Sequence, residues 1–118
     1  MRLLRKLRNP LKTPETDNVD SIPISDAYSV LSNERRRHVI NYLVNHKEDE
    51  IPISDVANHL ATQGDDYSRC YISIIQQHAP RLHDAGAVRY NEHEKVVEPL
   101  SNIEAFYEAH LAVKRALN

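Results

Sequence analysis

The stretch from Arg69 to Tyr90 constrains the fold most, because a helical period, a stop signal and a strand-like run follow one another without a gap. At about 100° per residue, four apolar side chains fall on one side of a helix, with Tyr71 at the margin: Ile72, Ile75, Ala79 and Leu82. The opposite side is polar and carries Arg69, Ser73, Gln76 and Gln77. Gly86 then ends the helix, because glycine adopts the left-handed C-terminal turn at little steric cost. The segment predicts a helix packed through one face and followed by a β-hairpin.

Pro80 lies within this predicted helix. Proline lacks a backbone N–H, and its ring clashes with the carbonyl four residues earlier, that of Gln76. We therefore expect a kink or a split, with a separate last turn that ends at Leu82. The hairpin that follows is strand, polar turn and strand: residues 87–90, 91–94 and 95–97.

Periodicity predicts three helices and one short strand before this segment: helices over residues 25–31, 33–46 and 54–62, and a strand at 51–53. Residues that can cap a helix N-terminus stand at each start: Ser25, Ser32 or Asn33, Ser54, and Asp65 or Asp66 for the fourth helix. The second helix directs Val39, Ile40 and Leu43 to a core. Its three consecutive arginines, residues 35–37, point in different directions. They either contact phosphate or, as we favour, form a solvated face with one stem over the core.

A last helix is predicted to begin at the capping box Ser101–Glu104. Its apolar stripe consists of Ile103, Phe106, Tyr107, His110, Leu111 and Leu117. A face this broad must be buried, either on the chain's own domain or on a second copy. Alanines beside the stripe permit close approach of helices, so we predict a homodimer interface.

The chain divides into a basic N-terminal segment with a linker (residues 1–23), a domain (24–99) and the last helix (100–118). Residues 1–12 have a net charge of +5, whereas residues 13–118 have a net charge of −7. The basic segment predicts an amphipathic helix for a membrane surface, phosphates or a protein partner, or else a solvated tail. The acidic remainder is unusual for a DNA-binding domain, which tends to be basic.

Several classes of function are disfavoured by the residues. No nucleophile elbow, glycine-rich phosphate loop or carboxylate pair at helical spacing is present, so we do not expect an enzyme. The seven histidines are scattered without the i, i+4 spacing of a helical metal site, so we predict no metal and no cofactor. The single cysteine, Cys70, excludes an internal disulfide and indicates a reducing, cytoplasmic setting. No apolar run reaches the roughly 20 residues of an integral membrane helix.

These patterns predict a mainly α fold with a small β-hairpin wing, that is, a winged helix-turn-helix domain with a C-terminal dimerisation helix. In such a domain the second helix of the motif enters the major groove of double-stranded DNA. Arginine pairs with guanine and glutamine with adenine, while residues beside the wing turn contact the backbone. The candidate DNA-binding residues are Arg69, Ser73, Gln76, Gln77, Arg81, Arg89 and Lys95.

Three passages carry a family resemblance: AYSVLSNERRRHVINYLV, ISDVANHLA and YISIIQQHAPRLHDAGAVRYN. Together they resemble uncharacterised winged helix-turn-helix domains of haloarchaea that are related to ArsR-type regulators, over about residues 27–97. The resemblance implies a cytoplasmic, homodimeric, DNA-binding regulator of archaeal type. It does not extend to metal sensing, because no cysteine-rich motif lies on the third helix.

We therefore expect a sequence-specific transcriptional regulator that binds DNA as a homodimer. The alternative is a winged-helix module that binds another protein, tethered through the basic N-terminal helix. The acidic charge of residues 13–118 suits the alternative.

Overall fold

The computed structural model describes residues 22–117, so the predicted helix in the basic N-terminal segment lies outside the described residues. The elements in chain order are α1 (Ile24–Leu31), α2 (Glu34–Val44), β1 (Ile51–Pro52), α3 (Ile53–Thr62), α4 (Tyr67–Ser73), a π-helical turn (Ile74–His78), α5 (Ala79–Asp84), β2 (Val88–Asn91), β3 (Val96–Pro99) and α6 (Ile103–Leu117). The described part is therefore mainly helical with a small sheet, and the prediction is confirmed at that level.

The sheet is antiparallel, with the strand order β1-β3-β2. Its hairpin pairs Tyr90 with Val97, and the short β1 adds a third strand by pairing Ile51 with the same Val97. Lys95 ends the hairpin turn with a φ of 59°, in the left-handed region. The predicted hairpin and the predicted short strand are both confirmed, with bounds shifted by one or two residues.

Helix starts agree with the predicted caps at two of the four sites. The side chain of Asn33 accepts a hydrogen bond from the backbone N–H three residues later, and so does that of Asp66. The predicted caps Ser25 and Ser54 are wrong. There α1 and α3 begin one residue earlier, and a proline with extended backbone takes the N-cap position without a side-chain bond. Proline's fixed φ suits the non-helical geometry that this position requires.

Pro80 splits the predicted recognition helix, as expected. The N–H of Ala79 donates to the carbonyl of Ile74, five residues back, which closes the π-helical turn. A new helix, α5, then begins with Pro80 in its first turn. Backbone N–H groups in the first turn of a helix have no acceptor within that helix, so the missing N–H of proline breaks no hydrogen bond of α5. Ala79 and Leu82 are buried, as predicted.

The π-helical turn inserts one extra residue and rotates everything before it relative to α5. The core therefore receives Cys70 and Ile74, which are 0% and 1% exposed. Ile75 is only half-buried, and Ile72 is 50% exposed. The predicted inward position of Ile72 is wrong for this reason.

The apolar stripe of α6 divides between the core and the surface. Ile103 and Phe106 are fully buried in the chain's own core, where α6 packs on α1 and α2. Their predicted place in a dimer interface is wrong, because the first turns of α6 close the monomer core. Leu117, at the other end of the stripe, is 80% exposed. The remaining predicted interface residues are half-buried: Tyr107, His110 and Leu111.

Candidate nucleic-acid interface

A polar cluster joins α4 and the loop before it to α2. Arg35 donates from Nε and Nη2 to the two carboxylate oxygens of Asp65, at 2.9 and 2.8 Å, and from Nη1 to Ser73 Oγ at 3.0 Å. The hydrogen bonds from Arg35 hold the pKa of the Asp65 carboxyl well below its usual range. Arg35 therefore joins the α3–α4 loop and α4 to α2, and we call this set the surface clamp.

Cys70 lies under the surface clamp. Its thiol is fully buried, and burial together with the Asp65 carboxylate raises its pKa to about 11. The thiol stays protonated at neutral pH and behaves as a small apolar side chain.

The arginine run of α2 also stabilises the end of α1. Arg36, which is 7% exposed, donates from Nε to Val30 O and from Nη2 to Ser29 O. Arg37 donates to Leu31 O at 2.6 Å. The last carbonyls of a helix lack partners within it, and a cation near them is favourable. The three arginines point in three directions, as predicted. The favoured solvated face is wrong, because each guanidinium is hydrogen-bonded within the chain and that of Arg36 is itself buried.

Arg36 makes a third contact, to the π-helical turn. Its Nη1 lies 3.3 Å from Nδ1 of His78, which is 1% exposed. Because a guanidinium only donates, Nδ1 must accept, and the imidazole is neutral with its proton on Nε2. Burial and the charge of Arg36 lower the pKa of His78 to about 4. We call this pair the buried clamp.

We predict that the buried clamp makes stability pH-dependent. The folded-state pKa of His78 is about 4, below the unfolded value of about 6.5, so the unfolded state binds more protons between those limits. The free energy of unfolding is expected to fall by about 1–2 kcal/mol from pH 7 to pH 5 through this group. Urea unfolding at both pH values checks this. His78→Gln keeps a hydrogen-bond acceptor but does not titrate, so its free energy of unfolding is expected to fall less between pH 7 and pH 5. A fall equal to that of the wild type contradicts the prediction.

Three candidate DNA-binding residues lie exposed on the helix that the two clamps hold. Arg69 precedes the π-helical turn, and Gln76 and Gln77 lie within it. None of these three side chains has a hydrogen bond or an ion pair with another described residue. Their donors and acceptors are available to an external ligand.

Two further candidates are held by the chain itself. Ser73 Oγ accepts from Arg35 and donates to the carbonyl of Cys70 at 3.1 Å. Arg81 donates from Nη2 and Nε to Ser29 Oγ, at 2.8 and 3.1 Å. Both side chains are half-buried and fix the helix against α1 and α2.

The two candidates beside the hairpin turn also have intramolecular partners. Arg89 forms an ion pair with Glu98 across the two strands at 2.6 Å. Lys95 donates from Nζ to the carbonyl of Glu92 at 2.5 Å. The turn itself contains two carboxylates, Glu92 and Glu94, so the positive charge at this tip is largely compensated.

The exposed face of α4 also includes apolar side chains, one of which, Ile72, was predicted to face the core. Ile72 is half-exposed, and Tyr67 is 39% exposed and stacks on Tyr71 with ring centroids 6.0 Å apart. Pro80 was the signal in the sequence that could have identified Ile72 as an exposed residue. A break in the helix before a proline rotates every earlier residue relative to the residues that follow the break.

A second set of exposed apolar side chains lies on the first and the last helix of the described residues. It consists of Ile24 and Tyr28 on α1 and Val113 and Leu117 on α6, each more than half exposed, and we call it the terminal patch. A groove of about 360 Å³ joins it to Leu31 and is lined also by Arg37, His110 and Lys114. The helices α1 and α6, which carry these side chains, pack on each other.

Metal-ligand clusters and membrane-length helices are both missing from residues 22–117. No group of three or more histidine, cysteine, aspartate or glutamate side chains there could hold a metal ion. In the same range, every helix is too short or too polar to cross a bilayer.

Comparison with known proteins gives one match. No significant similarity to a curated protein or to a solved structure was found. The model of one family, described as Domain of unknown function (DUF7344), matches residues 28–98. That range includes both clamps, the exposed side chains of α4 and nearly all of the hairpin, and it exceeds half of the 118-residue chain. The chain therefore belongs to the DUF7344 family.

Proposed function

We propose that this protein is a sequence-specific transcriptional regulator that binds double-stranded DNA as a homodimer, with α4 in the major groove and the β2–β3 hairpin as a wing. One observation carries the proposal. Arg69, Gln76 and Gln77 are exposed and unengaged on a helical segment that the surface clamp and the buried clamp bond to α2.

The chemistry of these side chains fits base recognition. Arginine donates two hydrogen bonds to O6 and N7 of guanine, and glutamine pairs with N6 and N7 of adenine. Such contacts require side chains that are free and backbones that are fixed, because ordering a mobile segment on binding costs free energy. Arg69 and the two glutamines meet the first requirement, and the two clamps meet the second.

The order of elements supports the same proposal. Helix α3, a loop with Gly64 at a φ of 104°, and α4 follow one another as in a helix-turn-helix, and an antiparallel hairpin comes next. The resemblance to ArsR-related winged domains points in the same direction. We propose that α4 reads bases and that the hairpin contributes weaker backbone contacts, since Arg89 and Lys95 already have intramolecular partners.

We propose the terminal patch as the contact between the two copies. Its four large apolar side chains are exposed on two helices that pack on each other, and exposed apolar side chains of this kind are typical of an interaction site. The terminal patch shares no residue with the exposed face of α4. The predicted interface thus keeps Leu117 and loses Ile103 and Phe106.

The proposal predicts unequal effects for two arginines that carry the same charge. Arg69→Ala is expected to weaken binding to a duplex selected from random DNA by about 10- to 100-fold, because a bidentate base contact is worth roughly 1–3 kcal/mol. Arg89→Ala is expected to weaken it less than about fivefold, because that side chain is paired with Glu98. Fluorescence anisotropy at fixed salt measures both.

Arg89→Ala is the matched control, since each variant removes one exposed arginine. Equal losses would indicate contact through net charge alone. No loss with Arg69→Ala would show that α4 is not the reading helix.

A protein-binding module is the second candidate. The terminal patch and the net charge of −7 over residues 13–118 favour it. Selection from random DNA separates the two, because a protein-binding module enriches no sequence.

A further inference from the structure

We propose that Ile72 recognises the 5-methyl group of a thymine beside the bases read by Arg69 and Gln76. This inference rests on the proposed DNA-binding function. It assigns a specificity-determining role to a residue that the helical pattern had placed in the core.

The position of Ile72 supports the assignment. Residues two apart on an α-helix lie about 200° apart, so Ile72 points away from both Cys70 and Ile74, which are buried. Arg69 and Gln76 are three residues before and four after it, which makes them its neighbours on the exposed face. An isoleucine therefore lies between two free polar side chains.

The surroundings leave this side chain half-exposed. Tyr71, the nearest large ring in sequence, is half-buried against the core and stacks on Tyr67. Ile75, one turn later, is also half-buried against the core. Ile72 is 50% exposed on the surface that faces the proposed ligand.

The major groove contains one apolar group at a base edge, the 5-methyl of thymine, and apolar side chains contact it there. An exposed isoleucine between an arginine and a glutamine therefore matches a groove where thymine adjoins guanine or adenine. A protein-binding surface is the competing role for the same side chain, and the test separates the two.

The experiment exchanges thymine for uracil, which removes only the methyl group. A duplex selected from random DNA by the wild-type protein is remade with uracil at each thymine in turn. We expect one position at which the exchange weakens wild-type binding about fourfold, the effect of burying one methyl-sized group. For Ile72→Ala the same exchange is expected to change affinity less than twofold.

Val44→Ala is the matched control, because it shortens another partly buried aliphatic side chain, on α2, to which no role in binding is assigned. For this control variant, the ratio of the affinities for the thymine and the uracil duplexes is expected to equal that of the wild type, even if both affinities change. The inference is overturned if no exchange affects the wild type, or if Ile72→Ala remains equally sensitive; DNA binding then still stands. If the wild type selects no duplex, the proposed function and the inference both fall.

Discussion

Replacing Phe106 by alanine is expected to lower the free energy of unfolding by about 3–5 kcal/mol, the usual effect of removing a large buried aromatic side chain. Phe106 is fully buried and has the largest volume among the completely buried side chains of the described residues. It lies where α6 packs on α1 and α2, so the cavity would open between three helices. Urea unfolding at neutral pH measures the loss.

The partner variant for Phe106→Ala is Leu117→Asp, on the same helix. Leu117 is 80% exposed, so its replacement is expected to leave the helical circular dichroism unchanged. It is expected to change the sedimentation mass from two chains to one, because it places a charge in the terminal patch. A mass of two chains for Leu117→Asp contradicts the proposed dimer contact. A loss below about 1 kcal/mol for Phe106→Ala contradicts the assignment of α6 to the monomer core.

Replacing Arg36 by alanine is expected to lower the free energy of unfolding by about 2–4 kcal/mol. The change leaves two buried acceptors, the carbonyl of Val30 and Nδ1 of His78, without the guanidinium donor, and each unsatisfied buried group costs about 1–3 kcal/mol. Helix α1 and the π-helical turn thereby lose a common anchor. Urea unfolding at pH 7 measures the loss.

Arg37→Ala serves as the comparison for Arg36→Ala. Arg37 is the next residue on α2, has the same charge, and donates to one carbonyl, that of Leu31, from a half-exposed position. Its replacement is expected to cost less than about 1 kcal/mol. Equal losses for the two variants would mean that burial of Arg36 does not matter.

Local signals in the sequence predicted much of the fold. Asn33 and Asp66 stand at helix starts because their side chains can accept backbone N–H groups, and both do so. Pro80 predicted a break because its missing N–H is a property of the residue alone. The core residues of α2, among them Leu43, followed from helical periodicity.

Other features depend on contacts that are distant in sequence. The direction of Ile72 depends on where the extra residue of the π-helical turn is inserted, which the helical period does not encode. Three consecutive arginines look equivalent in sequence, and only the position of α1 decides that Arg36 is the buried one. An apolar stripe on α6 must be buried, but the pattern does not say whether the chain's own core or a second copy covers Phe106.

The candidate site was predictable to the same extent. Polar residues on the outer face of α4 and the π-helical turn could be named from the period, and Arg69, Gln76 and Gln77 are exposed. Whether a polar side chain is free or engaged depends on remote partners. Ser73 bonds to a residue 38 positions away and Arg81 to one 52 positions away, so neither contact could be read from local pattern.

Titration of a selected DNA duplex into 15N-labelled protein tests the central claim most directly. If α4 enters the groove, amide shifts are predicted to concentrate in residues 67–78, with smaller shifts in the hairpin at residues 88–99. They are also predicted to weaken as salt rises, since counterions compete for the phosphates. Shifts confined to α1 and α6, or no shifts at low salt, would contradict the claim that this helix reads DNA.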